Sequence, residues 1–245
     1  MAVAQKLACR IEQVVDHGER VYSVELEPQG RVPRFRAGQF LHLALDPYDP
    51  SAFWPESRVF SIASAPTQRD RLKLAYAVHG RFTARMEAEL VPGRDVWVKM
   101  PYGDFVVEGG REVVLIAGGT GITAFTAFLE DVPADAHFPI TLLYGARRND
   151  LLIYRDVVER CASRVSTFGV WYFVEQSDAI AGDSAAVATT CTVGRVSLAQ
   201  VWPSLKQPLG ATYYLAGPPS MLDSLGAELH GRGVAPESVR IDAWE

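Results

Sequence analysis

The residues best suited to chemistry lie in a glycine-rich run near the middle of the chain. Gly119-x-Gly121-x-x-Ala124 follows an uninterrupted aliphatic stretch at 113–117 and precedes a helical pattern at 122–132. Glycines between a buried strand and a helix let the backbone approach a pyrophosphate closely, and the helix's first amides supply positive potential there. An ordinary glycine-rich turn is the competing reading. The run lacks the lysine of a phosphate-transfer loop, so phosphoryl transfer is disfavoured. A dinucleotide site also wants an acid at the end of the next strand, to hold a ribose. Here that strand ends in Tyr144-Gly145-Ala146, followed by Arg147 and Arg148. Those cations could pair with a 2′-phosphate, or stand solvated. The third strand ends in Glu175-Gln176-Ser177-Asp178, whose acids would instead hold ribose hydroxyls and repel a 2′-phosphate. Sequence alone leaves that conflict open.

Three further segments could contribute. At 213–221 a strand stops at Gly217-Pro218-Pro219 and a helix begins, with Pro219 near its first position. In the first half, Arg58-Val59-Phe60-Ser61-Ile62-Ala63-Ser64 joins a cation, an aromatic and a hydroxyl, and strand alternation puts Arg58 and Phe60 on one face. His79-Gly80-Arg81-Phe82-Thr83 ends a strand and opens a helix, where Thr83 could cap and basic neighbours would suit a phosphate. Hydrolytic chemistry finds little support. There is no G-x-S-x-G elbow, and the five histidines are scattered without H-E-x-x-H spacing.

The elements that must position these groups fall into two halves. Residues 1–108 carry short alternating runs at 6–15, 21–27, 39–45, 58–62, 72–78 and 96–99, separated by Pro and Gly and interrupted by one helix at 83–90. That pattern predicts a small antiparallel barrel. Residues 109–245 alternate strand and helix: strands at 113–117, 140–144, 170–174, 213–216 and 239–241, helices at 122–132, 151–161, 197–205 and 220–232. A parallel sheet with helices on both faces follows. The Ala-, Ser- and Thr-rich stretch at 178–192 reads as a long surface loop.

Composition bounds the function. The 245 residues carry 24 Lys+Arg against 29 Asp+Glu, a formal charge of −5, which disfavours nucleic acid as the main partner. Cys9, Cys161 and Cys191 are too far apart for an iron–sulfur motif or a disulfide framework. The longest apolar runs fall far short of the roughly 20 residues a membrane helix needs. The first residues, MAVAQKLACR, lack a signal-like apolar core. No metal, no membrane insertion and a reducing cytoplasm are the expectations.

Taken in order, RVFSIAS, HGRFT, MPYGDF, VLIAGGTGIT, LLYGAR and LAGPPSM resemble the ferredoxin–NADP⁺ reductase family of flavoproteins, over nearly the whole chain. The resemblance implies two domains: an N-terminal antiparallel Greek-key β-barrel for flavin (1–108) and a C-terminal α/β parallel-sheet domain for the nicotinamide nucleotide (109–245). It implies that Arg58 contacts the flavin phosphate, that Phe60 packs on the flavin ring, and that Ser61 lies near the hydride-accepting nitrogen. Ile62 would join the same site, and His79, Gly80, Arg81, Phe82 and Thr83 would cradle the flavin pyrophosphate. Gly119, Thr120, Gly121 and Ile122 would bind the nucleotide, with Arg147 beside it. Gly217, Pro218 and Pro219 would shape the nicotinamide approach, and Trp244 would shield the flavin face. The sequence departs from the family at Phe60, where Tyr is usual, at Ala124, where Pro is frequent, and at Ala216, where Cys is usual.

The expected activity is NAD(P)H-dependent flavin reduction, with electrons passed to a ferredoxin, a flavodoxin, an oxygenase component or a small acceptor. The expected cofactors are FAD, with FMN as the alternative, and NADPH or NADH. Arg31, Arg34 and Arg36 form a local basic cluster that could dock an acidic carrier, or simply face solvent. Two other readings stand beside this one: a flavin-binding subunit or sensor with little turnover, and a reductase that uses free flavin as substrate.

Overall fold

In the computed structural model, residues 3–176 and 189–242 are described. Contacts divide the chain into two units, Met1–Val106 with Thr126–Asp131, and Val107–Phe125 with Val132–Glu245.

The first unit holds β1 (Gln5–Asp16), β2 (Val21–Pro28), β3 (Phe40–Ala44), β4 (Ser57–Ser61), β5 (Leu72–Ala77), helix α1 (Arg81–Glu89) and β6 (Asp95–Tyr102). The strands form one antiparallel sheet in the order β4-β3-β6-β1-β2-β5. Just past β4, the Ala63 amide donates to the Lys73 carbonyl of β5 at 2.8 Å, which brings the two edges together and nearly closes a barrel. Period-two alternation turns Cys9 and Ile11, Val24 and Leu26, Leu41 and Leu43, Leu72 and Leu74, and Val96 and Val98 into one buried core. Phe82 and Met86, four residues apart on α1, enter the same core. Each such side chain contributes about 1.5–3 kcal/mol when fully buried.

The second unit holds β7 (Val113–Gly118), the first three residues of α2 (Thr123–Asp131), β8 (Ile140–Ala146), α3 (Arg155–Arg164), β9 (Phe168–Val174), β10 (Thr189–Val193), α4 (Leu198–Val201), β11 (Thr212–Ala216), α5 (Pro219–Gly231) and β12 (Val239–Asp242). Its sheet is parallel throughout, in the order β10-β9-β8-β7-β11-β12. β7 is buried along its whole length, as a central parallel strand covered on both faces must be. Leu198, Val201, Leu222, Leu225 and Leu229 of α4 and α5 cover the face that presents Val114, Ile116, Leu143 and Leu215. The opposite residues Val113, Leu115 and Leu142 are equally buried. The chain winds outward from β7 through β8, β9 and β10, then returns to place β11 on the other side of β7. That reversal is a topological switch point, where ligands of open α/β sheets bind at the carboxyl ends of the strands.

Four expectations are corrected. The stretch expected to be a loop at 178–192 contributes β10, whose Thr189–Val193 backbone runs beside β9; residues 177–188 lie outside the description. The helix expected at 151–161 begins only at Arg155, because Tyr154 adopts a left-handed conformation (φ 55°) and 149–151 forms a separate 3₁₀ turn. The helix expected at 83–90 begins two residues earlier, at Arg81. The short helix expected at 197–205, limited by Pro203, is shorter still: α4 ends at Val201 and gives way to a 3₁₀ turn over 202–204, where Pro203 has no amide to donate.

Candidate functional site

On the barrel, β4 and the start of α1 bring the predicted flavin-site residues together. Arg58 sits opposite Leu43 in the β3 ladder, Phe60 opposite Leu41 and Ser61 opposite Phe40. Arg58 is exposed, and its guanidinium lies 5.2 Å from the centre of the Phe82 ring, a cation–π contact between the two elements. Phe60 is half-buried against the barrel core, its ring edge-on to Tyr76 at 6.4 Å. Ser61 is half-buried at the strand's end. The Ile62 side chain is wholly buried and its amide donates to the Gln39 carbonyl at 3.0 Å, so it supports the site from within. Phe82 is buried as well.

The start of α1 is built for an anion. Gly80 precedes the helix with φ 83°, a conformation that side-chain-bearing residues resist, and a Cβ there would meet nothing within 4 Å. No side chain caps the helix, leaving its first amides available. Thr83, expected as the cap, is the third helical residue. Its hydroxyl reaches back to accept the His79 amide at 2.7 Å and donates to the Gly80 carbonyl at 3.3 Å. His79 and Arg81 are exposed.

The charge that gathers these groups is Glu56, which no sequence motif marks. The Glu56 carboxylate accepts from Arg81 Nη2 at 3.0 and 3.1 Å and from Arg58 Nη2 at 3.4 Å. A single anion therefore spans β4 and α1 where a phosphate would be cradled. The donor set, two guanidiniums and an uncapped helix start, has the chemistry to hold a flavin phosphate.

In the second unit, the loop after β7 and the loop after β11 meet at the switch point. Residues 119–122 make one 3₁₀ turn before α2, and the Thr123 hydroxyl closes it by donating to the Thr120 carbonyl at 2.8 Å. Gly121 is buried, and a Cβ there would come within 2.3 Å of the Ala216 carbonyl oxygen and 2.7 Å of the Gly217 nitrogen. Only hydrogen in place of a side chain allows that approach. Ile122 is wholly buried, whereas Gly119 and Thr120 are partly accessible. Pro218 and Pro219 are exposed, with Pro219 opening α5. The expected nucleotide residues thus share one crevice, at the carboxyl end of adjacent strands.

At the ends of β8 and β9 the opposing charges lie side by side. The Gln176 amide donates to the Arg147 carbonyl at 2.8 Å, and the Glu175 amide to the Ala146 carbonyl at 3.1 Å. Arg147 is exposed. Arg148 is paired with Asp150 at 3.0 Å, and Glu175 with Arg195 at 3.5 Å. Asp150 is legible from its place two residues after Arg148; Arg195 is not, because it lies far along the chain from Glu175 and only the fold brings the two together. Ser177, Asp178 and Trp244 lie outside the described residues.

The cysteines contribute no reactive thiol in the barrel or beneath α3. Burial pushes the Cys9 thiol up to about 12 and the Cys161 thiol up to about 11, so both stay protonated at neutral pH. Among the described residues, no group of three His, Cys, Asp or Glu is placed to hold a metal ion. No helix there is long and apolar enough to cross a membrane.

Comparison with known proteins agrees with this geometry. Residues 115–226 match the family model described as an oxidoreductase NAD-binding domain. The chain is 28% identical over 183 residues to an NAD(P)H-flavin reductase of Vibrio harveyi, covering 71% of this chain and 74% of that protein. It is 25% identical over 205 residues to the toluate 1,2-dioxygenase electron transfer component of Pseudomonas putida, covering 82% of this chain and 56% of that protein. A cytochrome P450 reductase of Amycolatopsis shares the fold, with a TM-score of 0.81 and 21% identity over 100% of this chain and 71% of the other. In its antiparallel barrel, its parallel nucleotide-type sheet and these relatives, the chain resembles the flavin- and NAD(P)-dependent oxidoreductases of the ferredoxin–NADP⁺ reductase family, and residues 115–226 carry an oxidoreductase NAD-binding domain.

Proposed function

We propose that this chain is an NAD(P)H-dependent flavoprotein reductase, with flavin held by residues 1–108 and the nicotinamide nucleotide by 109–245. The observation that carries the reading is the convergence of Arg58 and Arg81, from separate elements, on a single anion beside an uncapped helix start. Bound there, FAD (or FMN) supplies the redox chemistry, accepting a hydride from reduced nicotinamide and yielding electrons to an acceptor.

The chain's own residues bind and orient. Arg58 and Arg81 neutralise the flavin phosphates, while Gly80 keeps the backbone of His79–Thr83 open to them. Phe60 would pack against the flavin ring, and Ser61 would offer its hydroxyl beside it. Ile62 and Ile122, both buried, act by holding the loops that carry their neighbours. Gly119, Thr120 and Gly121 take the nucleotide, and Gly217, Pro218 and Pro219 wall the nicotinamide position. Arg147 is the candidate partner for the 2′-phosphate of NADPH and Glu175 for a ribose of NADH. Trp244 is assigned to the flavin face by family resemblance.

The relatives named as an oxygenase electron transfer component and a P450 reductase support delivery of electrons to a partner protein, here an oxygenase component, ferredoxin or flavodoxin. The three free cysteines suit a reducing cytoplasm. The occupation of both arginines by Glu56 favours a second reading, in which flavin is exchanged as a substrate and not kept.

Anaerobic addition of NADH, and separately NADPH, to the purified protein with FAD tests the assignment. Bleaching of the flavin bands within seconds by one nucleotide is the expected result. Bound flavin that stays oxidised with both would leave a flavin-binding subunit without turnover, and failure to bind any flavin would overturn the reading.

A further inference from the structure

Glu56 holds a position that the proposed function does not require. It lies in the bend just before β4, two residues ahead of Arg58, and the fold brings Arg81 of α1 against it. Its side chain is 34% exposed, against 54% for Arg58 and 80% for Arg81, so the carboxylate is the most enclosed member of the trio. Both carboxylate oxygens are engaged by Arg81, and one of them also by Arg58.

We propose that Glu56 is a specificity-determining residue that competes with the phosphate of a flavin nucleotide for Arg58 and Arg81, and so narrows the preference for FMN and FAD over riboflavin. The inference rests on the flavin reading above. A phosphate arriving at these guanidiniums meets them already neutralised. It must either displace the carboxylate, losing three charge-assisted hydrogen bonds, or sit beside it and suffer like-charge repulsion. Riboflavin has no phosphate and meets neither obstacle; its ring contacts at Phe60 and Ser61 are untouched. Glu56 thus acts on the phosphate end of the ligand and leaves the reacting end alone.

The test is direct binding. Riboflavin, FMN and FAD are titrated separately by fluorescence against wild type, Glu56→Gln and Glu56→Ala at one low salt concentration. Exposed ion pairs of this kind contribute modestly, so FMN and FAD should tighten about fivefold in both variants, with riboflavin unchanged. In wild type, FMN and riboflavin should bind within about threefold of each other. That wild-type ratio keeps the test open even where a variant folds poorly. Equal tightening of all three flavins, no tightening of any, or a wild type that holds FMN about a hundredfold more tightly than riboflavin would overturn the proposal while leaving the flavin site standing. Binding of no flavin by any of the proteins would remove the flavin reading and this proposal with it.

Discussion

Gly121 shows how little space separates the two loops of the nucleotide crevice. A methyl group there would overlap the Ala216 carbonyl, which is backbone and cannot swing aside. Gly121→Ala should push the β7–α2 loop away from β11, with an overpacking cost of about 1–3 kcal/mol. The expected outcome is a lower melting temperature and a KM for NAD(P)H raised about tenfold, with flavin affinity retained. A variant with wild-type KM and melting temperature would show that the crevice is not where the nucleotide sits. Gly121 was legible in the sequence because its spacing from Gly119 and Ala124 follows a fixed local geometry. Glu56 was not, because its partner Arg81 is 25 residues away and only the fold brings them together. Thr83 was half legible: a hydroxyl near a helix start was read as the cap, yet it works from the third position.

At the scale of elements, the orientation of α1 decides whether Arg81 reaches the anion. Its far end is tied down by a charge network. Arg85 bridges Asp46 at 2.9 Å and Glu89 at 2.9 Å, and Arg94 at the start of β6 donates to Glu89 at 2.7 Å. The hydrogen bond from Arg85 holds the Glu89 carboxyl below its ordinary value, and does the same for Asp46. A carboxyl depressed in the folded state stabilises that state at pH values above its unfolded value, and this contribution is lost as pH falls through the folded one. Glu89→Gln should therefore melt below wild type at pH 7, with the gap closing below about pH 4. Thermal melts across that range measure it, and a gap independent of pH would mean that charge is not what Glu89 contributes. Most elements were readable because apolar periodicity and Pro or Gly punctuation agree, as in α5, where Pro219 opens the helix and Leu222, Leu225 and Leu229 face inward. β10 escaped because its signal, Thr-Thr-Cys-Thr-Val, is moderately polar and follows a run of alanine and serine. The start of α3 escaped because Tyr154 breaks the helix by backbone conformation alone, with no proline or glycine to mark it.

For the whole molecule, fold class was legible because two periodicities divide the chain and six motifs fall in family order. The choice between NADH and NADPH was not, because it turns on which of several neighbouring charges remains available. Arg148 is answered by Asp150, two residues on, and Glu175 by Arg195, which no local pattern in the sequence announces. The same principle governs partner recognition. The chain carries a formal charge of −5, so an acidic electron carrier is repelled by the average field. Against that field, Arg31, Arg34 and Arg36 all face solvent, while Val32, Pro33 and Phe35 between them are buried. Burial of the apolar residues fixes the arginines on the outside as a local positive array. If that array docks the carrier, reduction of an acidic ferredoxin should slow about tenfold as ionic strength rises from low salt to about 0.5 M. The double variant Arg31→Ala, Arg34→Ala should lose several-fold of the low-salt rate and most of the salt dependence. Its reduction of an uncharged quinone should match wild type, because that acceptor feels no steering. Stopped-flow rates with the two acceptors separate the outcomes: equal losses with both would place the arginines in the stability of the barrel, and no loss with ferredoxin would move the docking face elsewhere.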